Sequence, residues 1–433
     1  MRWEQQVQYA SISDIGFRRR NNQDSYTTQL SSDQETWLSR GHLFVVADGM
    51  GGHAVGELAS KIAVDTLPLS YFKTKDCDIP EALKQATEAA NASIHERGTA
   101  NRDFLRMGTT CTSLVLSPQG CVIGHVGDSR CYRIRGSRID QLSFDHSLQW
   151  ELLRRGQLKP EDIYLHEPRH VITRSLGPEE SVQVDIEGPY PVQSGDIFLL
   201  CSDGLTGHLD DSEIGTIARE LPPNEACKLL VNLANLRGGS DNITVLIIRV
   251  GEIPQGVSAV PEELSLPQEE GHSWAWLLGF WATSITFAAG VCIALLGHKA
   301  FGISLAVFAF LAFLFVLSKK WPKSTPVRNN KSDASETVIW RPYRSASAKI
   351  SRKLLNNLAS AESELQGTAS DEGWDLNWKE HEKNYKAATK AIAQKKFSEA
   401  LKAYAKLIDI LMAGIHLQRK QMRQEEKWGK SSQ

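Results

Sequence analysis

Four aspartates sit at the ends of apolar runs. Asp48 closes "HLFVVA", Asp128 closes "CVIGHVG", Asp203 closes "DIFLLCS" and Asp241 opens "NITVLIIRV". In antiparallel pairing the end of one strand lies beside the start of its neighbour, so this spacing predicts that the four meet at one rim. Carboxylates gathered there repel unless a cation lies between them. Oxygen donors without His or Cys select Mg2+ or Mn2+. Glycine directly follows Asp48 and Asp203, which lets backbone carbonyls and a metal's retained water come close. Taken singly, Asp in "DG", "GDS" or "SDN" is an ordinary turn former or helix cap. The metal reading comes from the set of four, joined by "RRRNNQDSY" at 18–26, where hydrophobic periodicity accounts for neither the arginines nor Asp24.

The elements that must position these residues follow from the pattern between them. Short apolar or alternating runs include "HLFVVA", "CTSLVLSPQGCVIGHVGDSRCYRIRGSRI", "DIFLLC" and "NITVLIIRV". The turns SPQG, GDSR and RGSR stand at hairpin spacing, which predicts antiparallel strands. Helical periodicity marks "GELASKIAVDTL", "PEALKQATEAANASIHERG", "SLQWELLRRGQL" and "EACKLLVNLANLR". Strands and helices are segregated, so residues 1–251 read as an α+β domain.

The chain has 433 residues, more than one compact core holds. Residues 252–272 combine Pro, Gly and acidic residues and read as a linker. Within 273–317, two uncharged stretches, 274–296 and 300–317, are each long enough for a transmembrane helix. Residues 318–373 are basic, then rich in Ser, Thr and Asn, and read as a flexible linker with one modest helical stretch near "ISRKLLNNLASAESEL". From 374 to 425 the 3.6-residue spacing of Trp378, Tyr385, Ala388 and Ile392, then of Phe397, Leu401, Tyr404, Ile408 and Leu411, predicts a helical hairpin. This hairpin is similar to a tetratricopeptide unit, with a lysine where the turn glycine usually stands. It would be a surface for a protein partner, or a plain helical hairpin.

A formal net charge of −2 argues against a nucleic-acid partner. The seven cysteines form no CxxC pair or zinc-spaced cluster, as reduced cytosolic thiols would. The N-terminal "MRWEQQVQYASIS" has no apolar secretory segment.

The ordered set "SDIGFRRRNNQDS", "VVADGMGGHAVGE", "GHVGDSRCYRIR", "LSFDHSLQWELLRRGQL", "VITRSLG", "LLCSDGLTGHL" and "GGSDNITVLIIRV", spread over residues 13–250, resembles the bacterial PP2C (PPM) metal-dependent serine/threonine phosphatases. That resemblance implies a four-layer α-β-β-α sandwich of two antiparallel sheets flanked by helices. It also implies two Mn2+ or Mg2+ ions per site. Asp48 would bridge them, with the Gly49 carbonyl on one; Asp203 and Asp241 would complete a shell, and Asp24 would act through coordinated water. Asp128 corresponds to the ligand of a third, weaker metal in bacterial members. Arg19 corresponds to the phosphate clamp, its planar fork suited to two phosphoryl oxygens. The implied reaction is attack on phosphorus by a metal-bridged hydroxide, with no phospho-enzyme.

The sequence departs from the family pattern in two places. Gln23 stands where many relatives have Glu, and Met50 where animal relatives have a His proposed as general acid. His53, a few residues beyond Asp48, is the alternative proton donor; it could equally shape the "GMGGH" turn. Arg154, Arg155, Arg169 and His170 lie in a segment resembling the variable flap beside the site, where they would contact a phosphopeptide or form a solvated face. Cys201 has no Cys-x5-Arg arrangement, since position 207 is Gly, so a buried strand residue is expected.

Expected partners are phosphoproteins, a cognate Ser/Thr kinase or its targets, and the lipid bilayer. Two spans joined by "GHK" form a hairpin, and Lys319, Lys320, Lys323 and Arg328 beyond it place both flanks in the cytoplasm. The competing reading is an inert phosphatase-fold adaptor or membrane-bound scaffold; retention of every required carboxylate speaks against it.

Overall fold

A computed structural model describes residues 7–51, 55–75, 77–104, 106–157, 171–251, 274–318 and 342–431. Two units form: Met1–Ala259 together with Trp340–Gln433, and Val260–Ile339.

In the first unit, strands β1 (Val7–Asp14), β2 (Asp24–Gln29) and β3 (His42–Met50) lead into helices α2 (Val55–Lys73) and α3 (Ile79–Thr99), with short α1 (Gln34–Arg40) between β2 and β3. Strands β4 (Gly108–Thr109), β5 (Cys111–Ser117), β6 (Gly120–Val126), β7 (Arg130–Arg135) and β8 (Arg138–Gln141) follow, then α4 (Leu148–Arg154), β9 (Asp185–Tyr190) and β10 (Ile197–Cys201). After the short α5 (Asp203–Thr206) come α6 (Asp211–Glu220), α7 (Pro223–Leu236) and β11 (Ile243–Val250). One sheet has the order β1-β11-β10-β7-β8 and gains a sixth strand described below; the other runs β2-β3-β5-β6-β9, with β4 beside β3.

Every described pairing is antiparallel, and alternation along each strand sorts the side chains between layers. Phe44 and Val46 of β3 face Phe198, Leu200, Leu246 and Ile248 across the two sheets. Their neighbours Leu43, Val45 and Ala47 turn outward onto Ala59, Ala63, Leu67, Leu83 and Ala90 of α2 and α3. On the far side Leu199, Val245 and Ile247 pack beneath Ile214, Ile217, Leu230 and Leu233 of α6 and α7. Both faces of β3 and β11 are buried, which is why each reads as a continuous apolar run. The result is the four-layer α-β-β-α sandwich that the resemblance implies.

The tail of the chain corrects the sequence reading of 318–373. Strand β12 (Arg344–Ser347) pairs with β8 and completes the first sheet, and α10 (Arg352–Asp371) follows. The pattern "RSAS" has no apolar alternation to announce a strand. Its placement comes from edge hydrogen bonding: Tyr343 N–H donates to Gln141 C=O at 3.0 Å and Ala348 N–H to Ser137 C=O at 2.8 Å. Polar anchors add to this, with Ser345 Oγ donating to Asp140 at 2.6 Å and Arg344 lying 3.5 Å from Asp211.

Helices α11 (Trp378–Ala393) and α12 (Phe397–Ser431) form the expected hairpin. Lys395 occupies the left-handed turn position at φ 59°. Leu401, Leu407 and Ile408 of α12 belong to one apolar cluster with Leu354 and Leu358 of α10, Ala388 and Ala391 of α11 and with α7, so α12 packs its apolar face inside the chain, whereas Tyr385 and Ile392 of the face expected on α11 are exposed.

The second unit contains α8 (Trp274–Leu295) and α9 (Lys299–Ser318), antiparallel to one another. They approach closely where side chains are small: a Cβ on Gly302 would lie 2.3 Å from Ala294 N. Only residues 282, 283 and 285–313 have described side chains here. Among the described residues no helix is long and apolar enough to cross a membrane, so the two expected spans are not established by the fold.

Candidate metal centre

The carboxylates converge because the strand ends do. Asp24 opens β2 and stands in register with Asp48 on β3. Asp203 begins α5 directly after β10, Asp241 precedes β11, and Asp128 lies on the β6–β7 connection that crosses between the sheets. Five acidic residues from both sheets thus share one end of the sandwich.

Asp24 ties the sheets together. Its Oδ2 accepts hydrogen bonds from Ser202 Oγ and Thr244 Oγ1, each at 2.7 Å, while its buried Oδ1 has no hydrogen-bond partner. Burial raises its pKa to about 7, against the two hydroxyl bonds and with help from Asp203 and Asp241. Asp48 is pushed well above the carboxylate range by burial and by the charges of Asp24, Asp203, Asp128 and Asp241. Its backbone is fixed by Thr110: the Asp48 N–H donates to Thr110 Oγ1 at 2.9 Å, and the Asp48 carbonyl accepts from Thr110 N at 2.8 Å. Burial and Asp203 likewise raise Asp128, whose Oδ1 is buried without a hydrogen-bond partner. Asp241 is raised by burial and Asp203, with Arg19 opposing.

Such mutual elevation means that the rim is uncomfortable when fully ionised, and a divalent cation relieves it. Among the described residues no three His, Cys, Asp or Glu are close enough together to chelate an ion directly. All-oxygen donors and the orphaned buried carboxylate atoms of Asp24 and Asp128 fit Mg2+ or Mn2+ that keeps part of its water. Gly49 permits the close packing beside Asp48. Its N–H donates to the Gln23 carbonyl at 3.1 Å, and a Cβ there would lie 2.1 Å from the Gly56 carbonyl oxygen.

Arg19 reaches the same rim, its Nη2 lying 2.7 Å from Asp241 Oδ2. The loop that carries it is pinned by Asn242, which sequence reading passed over. Asn242 Oδ1 accepts from Gln23 N at 2.8 Å, and its Nδ2 donates to the carbonyls of Ile15 at 2.9 Å and Asn21 at 3.0 Å. The signal available for it was its place in "SDNIT", directly after Asp241. A buried network behind Asp128 was also unforeseen: Arg130 pairs with Asp145 at 2.7 Å, and Tyr132 Oη donates to Asp211 at 2.9 Å. Those partners lie up to 79 residues apart, and no local pattern joins them.

His53, Arg169 and His170 lie outside the described residues. Arg154 ends α4 with its guanidinium carbon 5.5 Å from the centroid of the Phe144 ring, and Arg155 caps that helix. Cys201 is a fully buried strand residue, and burial pushes its thiol far up, which leaves no thiolate for nucleophilic work.

The chain is similar to several known proteins. The protein phosphatase 2C family profile matches residues 18–225. The chain is 36% identical over 250 residues to protein phosphatase PhpP of Streptococcus pneumoniae, covering 57% of this chain and 98% of that protein. It is 34% identical over 252 residues to the serine/threonine phosphatase stp of Listeria welshimeri, covering 57% and 97% respectively. Among solved structures, the serine/threonine phosphatase of S. agalactiae superposes with a TM-score of 0.52 at 33% identity, covering 56% of this chain and 99% of that one. The Mycobacterium tuberculosis serine/threonine phosphatase PstP/Ppp gives 0.51 at 31% identity, covering 57% and 100%.

Proposed function

The chain belongs to the protein phosphatase 2C family and is a protein serine/threonine phosphatase; from that premise we propose that it hydrolyses phosphoseryl and phosphothreonyl groups at the aspartate rim with Mn2+ or Mg2+. The observation that carries this reading is the convergence of Asp24, Asp48, Asp128, Asp203 and Asp241 from two sheets onto one end, with Arg19 against it. When bound, the metals supply an activated water nucleophile and offset phosphoryl charge. Asp48 and the Gly49 carbonyl, with Asp203 and Asp241, would hold two ions, Asp24 would act through water, and Asp128 would hold a third. Arg19 would orient the phosphoryl group through two oxygens, a geometry its fork matches. His53 would give the departing alkoxide its proton.

The test is phosphate release by the full chain from a phosphoseryl peptide and from an aryl phosphate. Both reactions are expected to need added Mn2+ or Mg2+ and to stop in chelator; activity in chelator would overturn the metal reading. His53→Gln is expected to slow only the peptide, whose alkoxide leaving group needs protonation. Equal losses on both substrates would remove His53 from the mechanism.

The same reading places the enzyme at the cytoplasmic face of a membrane, acting on phosphoproteins that a cognate Ser/Thr kinase modifies. Its support is α8 and α9: their described residues are uncharged apart from Lys299, and they expose Leu295 at 82%, Phe308 at 71% and Phe301 at 67%. A surface of that kind is costly in water. Lysines 319, 320 and 323 with Arg328 follow the second helix, and positive charge favours the cytoplasmic side. Reporter fusions after Ser258 and after Asn330 are both expected to register as cytoplasmic. One cytoplasmic and one external signal would rule out a hairpin. A protein partner for the α11–α12 hairpin is no part of the proposal, because the apolar face of α12 is already packed within the chain.

A further inference from the structure

The loop that carries Arg19 runs between β1 and β2 and has no regular hydrogen-bonding ladder of its own. Its shape therefore depends on what grips it from outside. Several grips come from the catalytic domain: the N–H groups of Phe17 and Arg18 both donate to the Gly239 carbonyl, at 2.9 and 3.0 Å, Asn242 holds Ile15 and Asn21, and Arg19 lies on Asp241. Another comes from the other end of the chain. Arg419 on α12, 402 residues away, donates from Nη2 to the Phe17 carbonyl at 2.7 Å. Its guanidinium carbon lies 4.1 Å from the centroid of the Phe17 ring, and His416, one turn earlier, meets the same ring edge-on at 6.2 Å and 74°.

Both faces of this contact are specific. The planar guanidinium stacks on the aromatic face and still reaches a carbonyl with one of its donors, which a lysine ammonium cannot do with the same geometry. The contact sits two residues before Arg19. It also backs onto Gly239, two residues before Asp241, so one bond braces both the phosphate-binding arginine and the metal-ligand loop. Arg419 does not move freely with respect to the catalytic domain: α12 packs into the cluster containing α7 and α10, and Lys228 of α7 lies 3.5 Å from Asp409.

We propose that Arg419 is a positioning residue for the phosphatase reaction: by clamping Phe17 it presets the loop so that Arg19 meets the incoming phosphoryl group, and the C-terminal helices must be docked for full substrate capture. The inference rests on the phosphatase reading above and adds a structural condition to it. A loop that loses one of its outside grips samples more conformers, and each binding event must then restore order. The loss falls on capture of substrate more than on the chemistry or the metals.

The experiment measures steady-state hydrolysis of an aryl phosphate by the full chain, with a Mn2+ titration for each variant. Arg419→Ala is expected to raise KM about five- to tenfold, with kcat and the Mn2+ half-saturation within about twofold of wild type. Arg419→Lys, which keeps a donor and loses the stacked plane, is expected to fall between the two. In an Arg19→Ala background Arg419→Ala is expected to cost nothing further, because the residue it positions is gone. An unchanged KM in Arg419→Ala, or the same fold loss with and without Arg19, overturns the proposal, since a contact that only stabilises the fold acts alike in both backgrounds. If Arg419→Ala does not fold, Arg419→Lys and its double variant carry the same comparison. A wild-type chain without Mn2+-dependent activity would instead bring down the parent reading, so the two failures are told apart by the first measurement.

Discussion

Asp48→Asn lowers kcat by about a thousandfold or more at saturating Mn2+. The side chain is nearly isosteric, so what it removes is charge at the point where the most acidic neighbours meet. Asp48 is raised by burial and then by four other aspartates. A raised folded-state pKa has a definite sign in linkage. The ionised form is disfavoured in the folded chain, so this group's contribution favours folding at low pH and is lost as pH rises through its folded value. At neutral pH without metal, keeping Asp48 charged is therefore costly, and the neutral Asn avoids that cost. Asp48→Asn is accordingly expected to melt no lower than the wild type in chelator, while losing most of the rise in melting temperature that Mn2+ gives the wild type. Asp241→Asn should follow the same pattern, Asp203→Asn should lose turnover to a similar degree, and Asp128→Ala should be milder. Near-normal turnover by both the Asp48 and Asp241 variants would end the binuclear assignment. A variant that melts well below wild type in chelator would show that Asp48 holds the fold together by some route other than charge.

Part of this site was legible because its residues stand where strand pattern meets turn chemistry. Asp48, Asp203 and Asp241 each flank an apolar run long enough to announce a strand, and antiparallel pairing then brings the ends together. The sandwich was legible for the same reason: β3 and β11 are buried on both faces and leave unbroken hydrophobic runs. Asn242 was harder, since its work is done through backbone carbonyls of a loop more than 220 residues away. The Arg130–Asp145 pair and the Tyr132–Asp211 bond are buried polar groups whose partners are set by the packing of separate elements, and nothing in their local sequence ranks one partner over another. Strand β12 was missed on different grounds. An edge strand of Arg, Ser and Ala is held by main-chain bonds and by Asp140 and Asp211, and the hydrophobic pattern carries none of that information. For the hairpin of α11 and α12 the helices followed from periodicity, but the destination of their apolar face did not, because amphipathicity shows that a face is buried without showing against what.

Arg19→Ala should lower kcat/KM by about a hundredfold, chiefly through KM, while leaving the metals in place. In the present arrangement its guanidinium lies on Asp241 at 2.7 Å, with side-chain exposures of 48% and 33%. An ion pair that open to solvent contributes little to stability, so the variant should melt as the wild type does. The pair matters for another reason. Asp241 has one carboxylate to offer, so a metal held by it would compete with Arg19, whose Nη2 now lies on its Oδ2; an arriving phosphoryl group would give Arg19 a better partner, with two oxygens matching its two-pronged face. Metal on Asp241 and phosphate on Arg19 are thus mutually compatible, whereas either one alone leaves the other charge partly uncompensated. Removing the guanidinium frees Asp241 of its competitor, so the Mn2+ half-saturation of Arg19→Ala is expected to stay equal to the wild-type value or fall below it. Arg19→Lys should restore charge but not the paired geometry, and so recover only a fraction of kcat/KM. Substrate and Mn2+ titrations of the three proteins decide the matter: a wild-type KM in Arg19→Ala, together with weakened Mn2+ activation, would mean that this arginine serves the metal loop and that another group holds the phosphate.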